Sequence, residues 1–262
     1  MIGTRSSGTA AVLVGGLAVI LWARCRVRRS EMRALALCKL LVRSLADPLP
    51  LGRDARSSVA VYATAHTDDN VATVADGVAE LCALLPGIPT VLVHEVDNAR
   101  LKPPLPNFQG SVLLRRELAA RQIKPQMMQG WHDRHTTMHS LNEVEDVITH
   151  CRNAGVRALV VVSTPFHVTR SLMSALSAAA RQYPELRVHA FAARPACERY
   201  WTQVAAHSQG TLVAPRSALI GSELGRIARY SAKGDLVGVE SALRMLDERA
   251  ARQQSHTHNI CR

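Results

Sequence analysis

Residues 158–170, Ala-Leu-Val-Val-Val-Ser-Thr-Pro-Phe-His-Val-Thr-Arg, decide the reading of this chain. Ala158–Ser163 is a short apolar run closed by a hydroxyl residue. Valines in an unbroken run suit a strand covered on both faces, not one with a solvated side. Pro165 interrupts the run, and a helix is predicted from about Thr169 to Gln182. A doubly covered strand that feeds a helix is the building unit of a layered α/β domain.

Working outward, the same alternation repeats. Ser58–Ala63 and Thr90–Glu95 read as strands, Gln126–Gln129 as a short third, and Leu186–Ala190 as the strand after the long helix. Between them Asp69–Leu85, Ser111–Arg121 and His139–Asn153 carry apolar residues at helical spacing. The end is predicted to be mostly helical, over Cys197–Ala206, Ser222–Ser231 and Leu236–Gln253, with a frayed polar tail after Arg252. The fold expected is a three-layer Rossmann-like α/β domain over 57–236, with a mainly parallel sheet of about five strands.

The net charge of +11 suggests a nucleic-acid surface until it is divided along the chain. Residues 1–56 hold ten of the 32 basic residues and only three of the 21 acidic ones. The remainder is close to balanced, so a polyanion-binding face is not required and nucleic acid is not an expected partner. The six cysteines are spread singly with no C-x-x-C pair, the pattern of free thiols in a reducing compartment.

Ser6–Ala23 contains no charged residue, and Arg24, Arg26, Arg28 and Arg29 follow at once. About 20 apolar residues span a bilayer, so residues 1–30 read as an N-terminal hydrophobic helix that anchors the chain in a membrane. The basic flank places the domain on the cytoplasmic side. An arginine-rich, acid-free leader also fits a mitochondrial presequence. Within residues 31–56, Glu31–Ala46 forms an amphipathic helix, ended by the linker Asp47-Pro-Leu-Pro-Leu-Gly52. Residues 237–262 form a C-terminal helix and polar tail.

Ligands of open α/β sheets bind beyond the carboxyl ends of the strands, near a switch in strand order. That rule selects the loops Thr64–Asn70, His132–Thr137 and Ser163–Arg170. Residues 157–172, RALVVVSTPFHVTRSL, resemble the YdcF/SanA-like family in a strand ending in Ser/Thr, then Phe-His, then Arg three residues after the His. Arg134–Ser140 resembles that family's Thr-rich turn, and Ser222–Tyr230 with Lys233–Leu236 its closing Glu-containing helix. The resemblance spans roughly 58–236 and implies a Rossmann-like fold without a settled reaction. Ser140 stands where the family has Asn, and the glycines expected after the first strand are replaced by Ala-His-Thr-Asp-Asp.

The candidate ligand-binding residues are Ser163, Thr164, His167, Arg170, Thr136, Thr137, His66 and Asp68. Free amides and the dipole at a helix start favour an anion, and Arg170 can hold a phosphate or carboxylate bidentately. Placed off the core, Arg170 is expected to be replaceable by Ala within about 1 kcal/mol of stability. Ser and Thr at helix starts are also ordinary caps, as are Asp68 and Asp69. His132, His135 and His139 have the spacing of a zinc cluster, but His132–Thr137 reads as a loop and the usual carboxylate is missing, so no metal site is assigned. Ala206-His-Ser-Gln-Gly210 lacks the first Gly of G-x-S-x-G and follows an expected helix, so no nucleophile elbow is assigned.

The expected function is binding of a small anionic or nucleotide-type ligand. The alternative is a membrane-associated interaction or envelope-integrity protein with a degenerate pocket. Use of adenosylmethionine by a transferase ranks below both, because no glycine-rich loop follows the first strand.

Overall fold

A computed structural model describes residues 30–49, 58–64, 66–85, 90–129, 140–195, 197–207 and 211–260. Helix α1 covers 30–45. Then follow β1 (Val59–Ala63), α2 (Asp68–Leu84), β2 (Thr90–His94), α3 (Ser111–Ala120), β3 (Gln126–Met128) and α4 (Ser140–Asn153). The second half contains β4 (Ala158–Ser163), α5 (Val168–Gln182), β5 (Arg187–Ala192), β6 (Val204–Ala206), β7 (Val213–Pro215), α6 (Arg216–Lys233) and α7 (Val239–Ile260).

Five strands form one parallel sheet in the order β3-β2-β1-β4-β5. The order turns between β1 and β4, which pair from Val59 opposite Ala158 to Ala63 opposite Val162. Alternate residues of β1 serve opposite cores. Val59, Val61 and Ala63 join Val71, Val74, Val78 and Leu81 of α2 and Leu113, Leu114 and Leu118 of α3. Ala60 and Tyr62 face the second core, built from α4, α5, α6 and α7. Every residue of β4 is buried, as its unbroken apolar run requires. The α/β layering and the five-strand parallel sheet are as the sequence predicts.

The second core also takes in Leu40 of α1 and Ala242 and Leu246 of α7. Packing therefore continues across both expected domain limits, at 56/57 and 236/237. Asp47 of the linker forms a buried ion pair with Arg249 and accepts a hydrogen bond from Ala190 N of edge strand β5 at 2.9 Å. Ser44 lies 2.6 Å from Thr169 on α5. Among the described residues no helix is long and apolar enough to cross a membrane. The expected N-terminal hydrophobic helix at residues 1–30 lies almost wholly outside the described residues.

Two stretches differ from the reading of the sequence. The helix expected at Cys197–Ala206 is a single 3-10 turn, Glu198–Trp201, followed by the antiparallel hairpin β6–β7. Helix α7 runs through the expected frayed tail to Ile260, a stretch with no Pro or Gly to stop it.

Candidate functional site

The carboxyl ends of β1 and β4 lie side by side, and their helices leave toward opposite faces of the sheet. Ligands of open α/β sheets bind beyond such a point, where neighbouring loops diverge. Here His66 from the loop after β1 and Ser163, Thr164 and His167 from the end of β4 and the turn after it are all buried. Thr164 O accepts from the amides of His167 (3.0 Å) and Val168 (2.9 Å), so the backbone turn itself starts α5. Arg170 follows one turn into the helix and is only 4% exposed.

Glu223 of α6 is the centre of this cluster. Its Oε2 accepts from Nδ1 of His167 at 2.9 Å and from Nε of Arg170 at 2.5 Å. Its Oε1 accepts from Nε2 of His207, which follows β6. Arg170 also donates from Nη1 to Ser140 Oγ at the start of α4, at 3.1 Å. Burial opposes ionisation of Glu223, but the Arg170 charge and the histidine donors outweigh it and hold the carboxyl well below the usual range. Burial and the neighbouring Arg170 lower His167 to about 4, so the buried ion pair is Arg170–Glu223 and the imidazole is neutral. This overturns the expectation that Arg170 is cheaply replaced: it is a partner in a buried charge pair, not a group at the surface.

Ser163 Oγ lies 3.0 Å from Nε2 of His66, 3.2 Å from Thr64 Oγ1 and 3.3 Å from Ser171 Oγ. Burial, then His167, holds His66 well below its ordinary pKa, so it too is neutral. The pair has the reach of a nucleophile and base but lacks the group that would orient the base. Nδ1 of His66 has no partner among the described residues, and neither has Oγ1 of Thr164.

Asp68, also expected in the site, instead accepts from Gln109 N (2.8 Å) and Nε2 (3.0 Å), joining α2 to the turn before α3. Asp69 accepts from Ala206 N at 2.6 Å, and Asn70 donates to Ala206 O at 3.0 Å, which clamps the β6–β7 hairpin to the first turn of α2. Arg216 completes the clamp on Asp69 O and Asn70 Oδ1 and stacks over Tyr200. Thr136 and Thr137 lie outside the described residues, as do His132, His135 and His139. Ser140, the first residue of α4, accepts from Arg170. Among the described residues no group of three His, Cys, Asp or Glu is placed to hold a metal.

Two residues of the cluster, Glu223 and His207, are absent from the candidates read off the sequence. Leu219, Glu223 and Ile227 recur every four residues and all are buried. An acid on the apolar stripe of a helix must be paired, which is the signal that marks Glu223. His207 is hidden by the helical reading of 197–206. That reading also gave the wrong ground for rejecting an elbow at residues 206–210. A strand does precede it, but a second strand follows where an elbow needs a helix.

These features define the class: an open, doubly wound α/β domain with a buried polar cluster at the turn of its strand order. No protein-family model, curated protein or solved structure matches the chain.

Proposed function

We propose that the chain binds a small anionic or nucleotide-type ligand at the carboxyl ends of β1 and β4, as a YdcF/SanA-like domain. One observation carries the reading. His66 Nδ1 and Thr164 Oγ1, in the segments that follow β1 and β4, are buried polar atoms without partners among the described residues. Such atoms are costly unless water or a ligand satisfies them. They belong to the same segments as Ser163, His167 and Arg170, where the strand order turns. An anion arriving there finds the α5 N-terminus and the Arg170 guanidinium on one side. Thr136 and Thr137 are proposed as further hydroxyl donors to the ligand. Adenosylmethionine is the remaining candidate of nucleotide type.

A second reading, an interaction role with a degenerate pocket, draws on the Arg170–Glu223 pair, because the cation is already balanced within the chain. The two separate by thermal shift of the full chain with AMP, ribose 5-phosphate, adenosylmethionine and inorganic phosphate. A ligand at about 100 times its Kd adds about 2.7 kcal/mol to native stability. Binding is expected from at least one phosphate ester and is expected to weaken about tenfold in Thr164→Val, as for one lost hydrogen bond. A panel without effect on the folded protein supports the interaction role instead.

A further inference from the structure

We propose that Nε2 of His167 accepts a hydrogen bond from a hydroxyl of the ligand, with Glu223 as the positioning residue that fixes the ring for this. The inference rests on the proposed ligand site and narrows its occupant to a hydroxyl-bearing anion, a sugar or ribose phosphate in preference to a bare anion.

An ionised carboxylate only accepts, so the ring nitrogen 2.9 Å from Oε2 of Glu223 carries the proton, and the Arg170 Nη2 at a longer 3.3 Å from that nitrogen is a contact and not a hydrogen bond to it. That nitrogen is Nδ1. The neutral imidazole then has its lone pair on Nε2, which makes no hydrogen bond among the described residues. The ring cannot easily turn to exchange the two nitrogens. His66 stands edge-on at 4.9 Å and His207 at 6.4 Å, and Phe166 lies tilted at 6.5 Å, measured between ring centres. A carboxylate on one imidazole nitrogen is the usual means of presenting the other to a reacting or binding partner.

The surrounding charges keep the ring an acceptor. His66 faces it from the loop after β1, Arg170 from its own helix, Glu223 from α6 and His207 from the end of β6. Only Glu223 is negative, and Arg170 shares the same carboxylate oxygen. A second proton on His167 is therefore opposed by Arg170 as well as by burial. The Ser163–His66 pair does not offer the same function, because no described residue orients Nδ1 of His66 and the serine is wholly buried.

The test uses diethyl pyrocarbonate on the full chain, with the modified histidines located by peptide mass mapping. The reagent acylates an unprotonated imidazole nitrogen, here Nε2, releasing ethanol and carbon dioxide while Nδ1 gives up its proton. His167 is expected to react at a rate that stays flat from about pH 5.5 to about pH 8, whereas an ordinary histidine gains reactivity through about pH 6.5. In Glu223→Gln the amide can donate to Nδ1 and reverse the tautomer, and the rate at His167 is expected to fall on the order of tenfold or more. Should that variant fail to fold, nitrogen-15 NMR of the wild-type histidines reads the tautomer directly, with the proton expected on Nδ1. A folded wild-type chain whose His167 stays unmodified, or whose proton sits on Nε2, overturns the inference. A silent ligand panel beside a reactive His167 removes the proposed ligand and leaves the acceptor. Ligand binding beside an unreactive His167 does the reverse.

Discussion

Arg170 and Glu223 illustrate how burial changes the meaning of a residue. Removing the guanidinium leaves a carboxylate, 1% exposed, without the cation that shares its Oε2. Arg170→Ala is accordingly expected to cost about 3–5 kcal/mol, read by urea unfolding. A loss below about 1 kcal/mol would show that the pair is not formed. A second buried acid, Glu143, accepts from the Tyr62 hydroxyl at 3.0 Å and is raised to about 7 by burial, with the Tyr62 bond and Arg170 opposing. A raised acid is protonated in the native chain while the unfolded chain has ionised, so its contribution is lost as pH rises from about 4.5 to about 7. His66, His167 and His189 act oppositely, because their lowered pKa values remove stability as pH falls below 6.5. Glu143→Gln isolates the first effect. Relative to wild type it is expected to gain stability between pH 5 and pH 8, on the order of 1 kcal/mol, and an unchanged difference would place the carboxyl in an ordinary environment.

Elements show what could be read in advance and what could not. Strand β4 was legible from its valines, and α2 and α4 from their apolar spacing, because burial writes a periodic signal into sequence. Short strands β6 and β7 carry three residues each, too few for a period, and so the hairpin that brings His207 to Glu223 was not legible. The loops of His66 and Arg170 were legible through the strand-end rule, but the acid that ties His167 and Arg170 to His207 lies more than fifty residues further along the sequence. Helix packing supplies its own test. A methyl group on Gly77 of α2 would lie 2.6 Å from Cβ of Ala193, beyond the end of β5. Gly77→Ala is therefore expected to destabilise by about 1–3 kcal/mol through overpacking, although Ala is the better helix former. Stabilisation on thermal melting would show that α2 does not approach β5 so closely.

At the scale of the whole molecule, the amphipathic helix and the C-terminal helix close the core over α5, which carries His167 and Arg170. Leu40 is fully buried, so Leu40→Ala is expected to cost about 2–5 kcal/mol by calorimetry or denaturant, whereas a helix lying free of the domain would tolerate it. The site thus depends on packing from both ends of the described chain, through Leu40 and Asp47 on one side and Arg249 on the other. The central claim, that the turn of the strand order is a ligand site, is tested most directly by amide chemical-shift mapping of the full chain titrated with AMP and ribose 5-phosphate. Saturable shifts are expected at residues 63–70, 163–171 and 207, with α3 and the rest of α2 undisturbed. Saturable shifts elsewhere, or none with either compound, would contradict it.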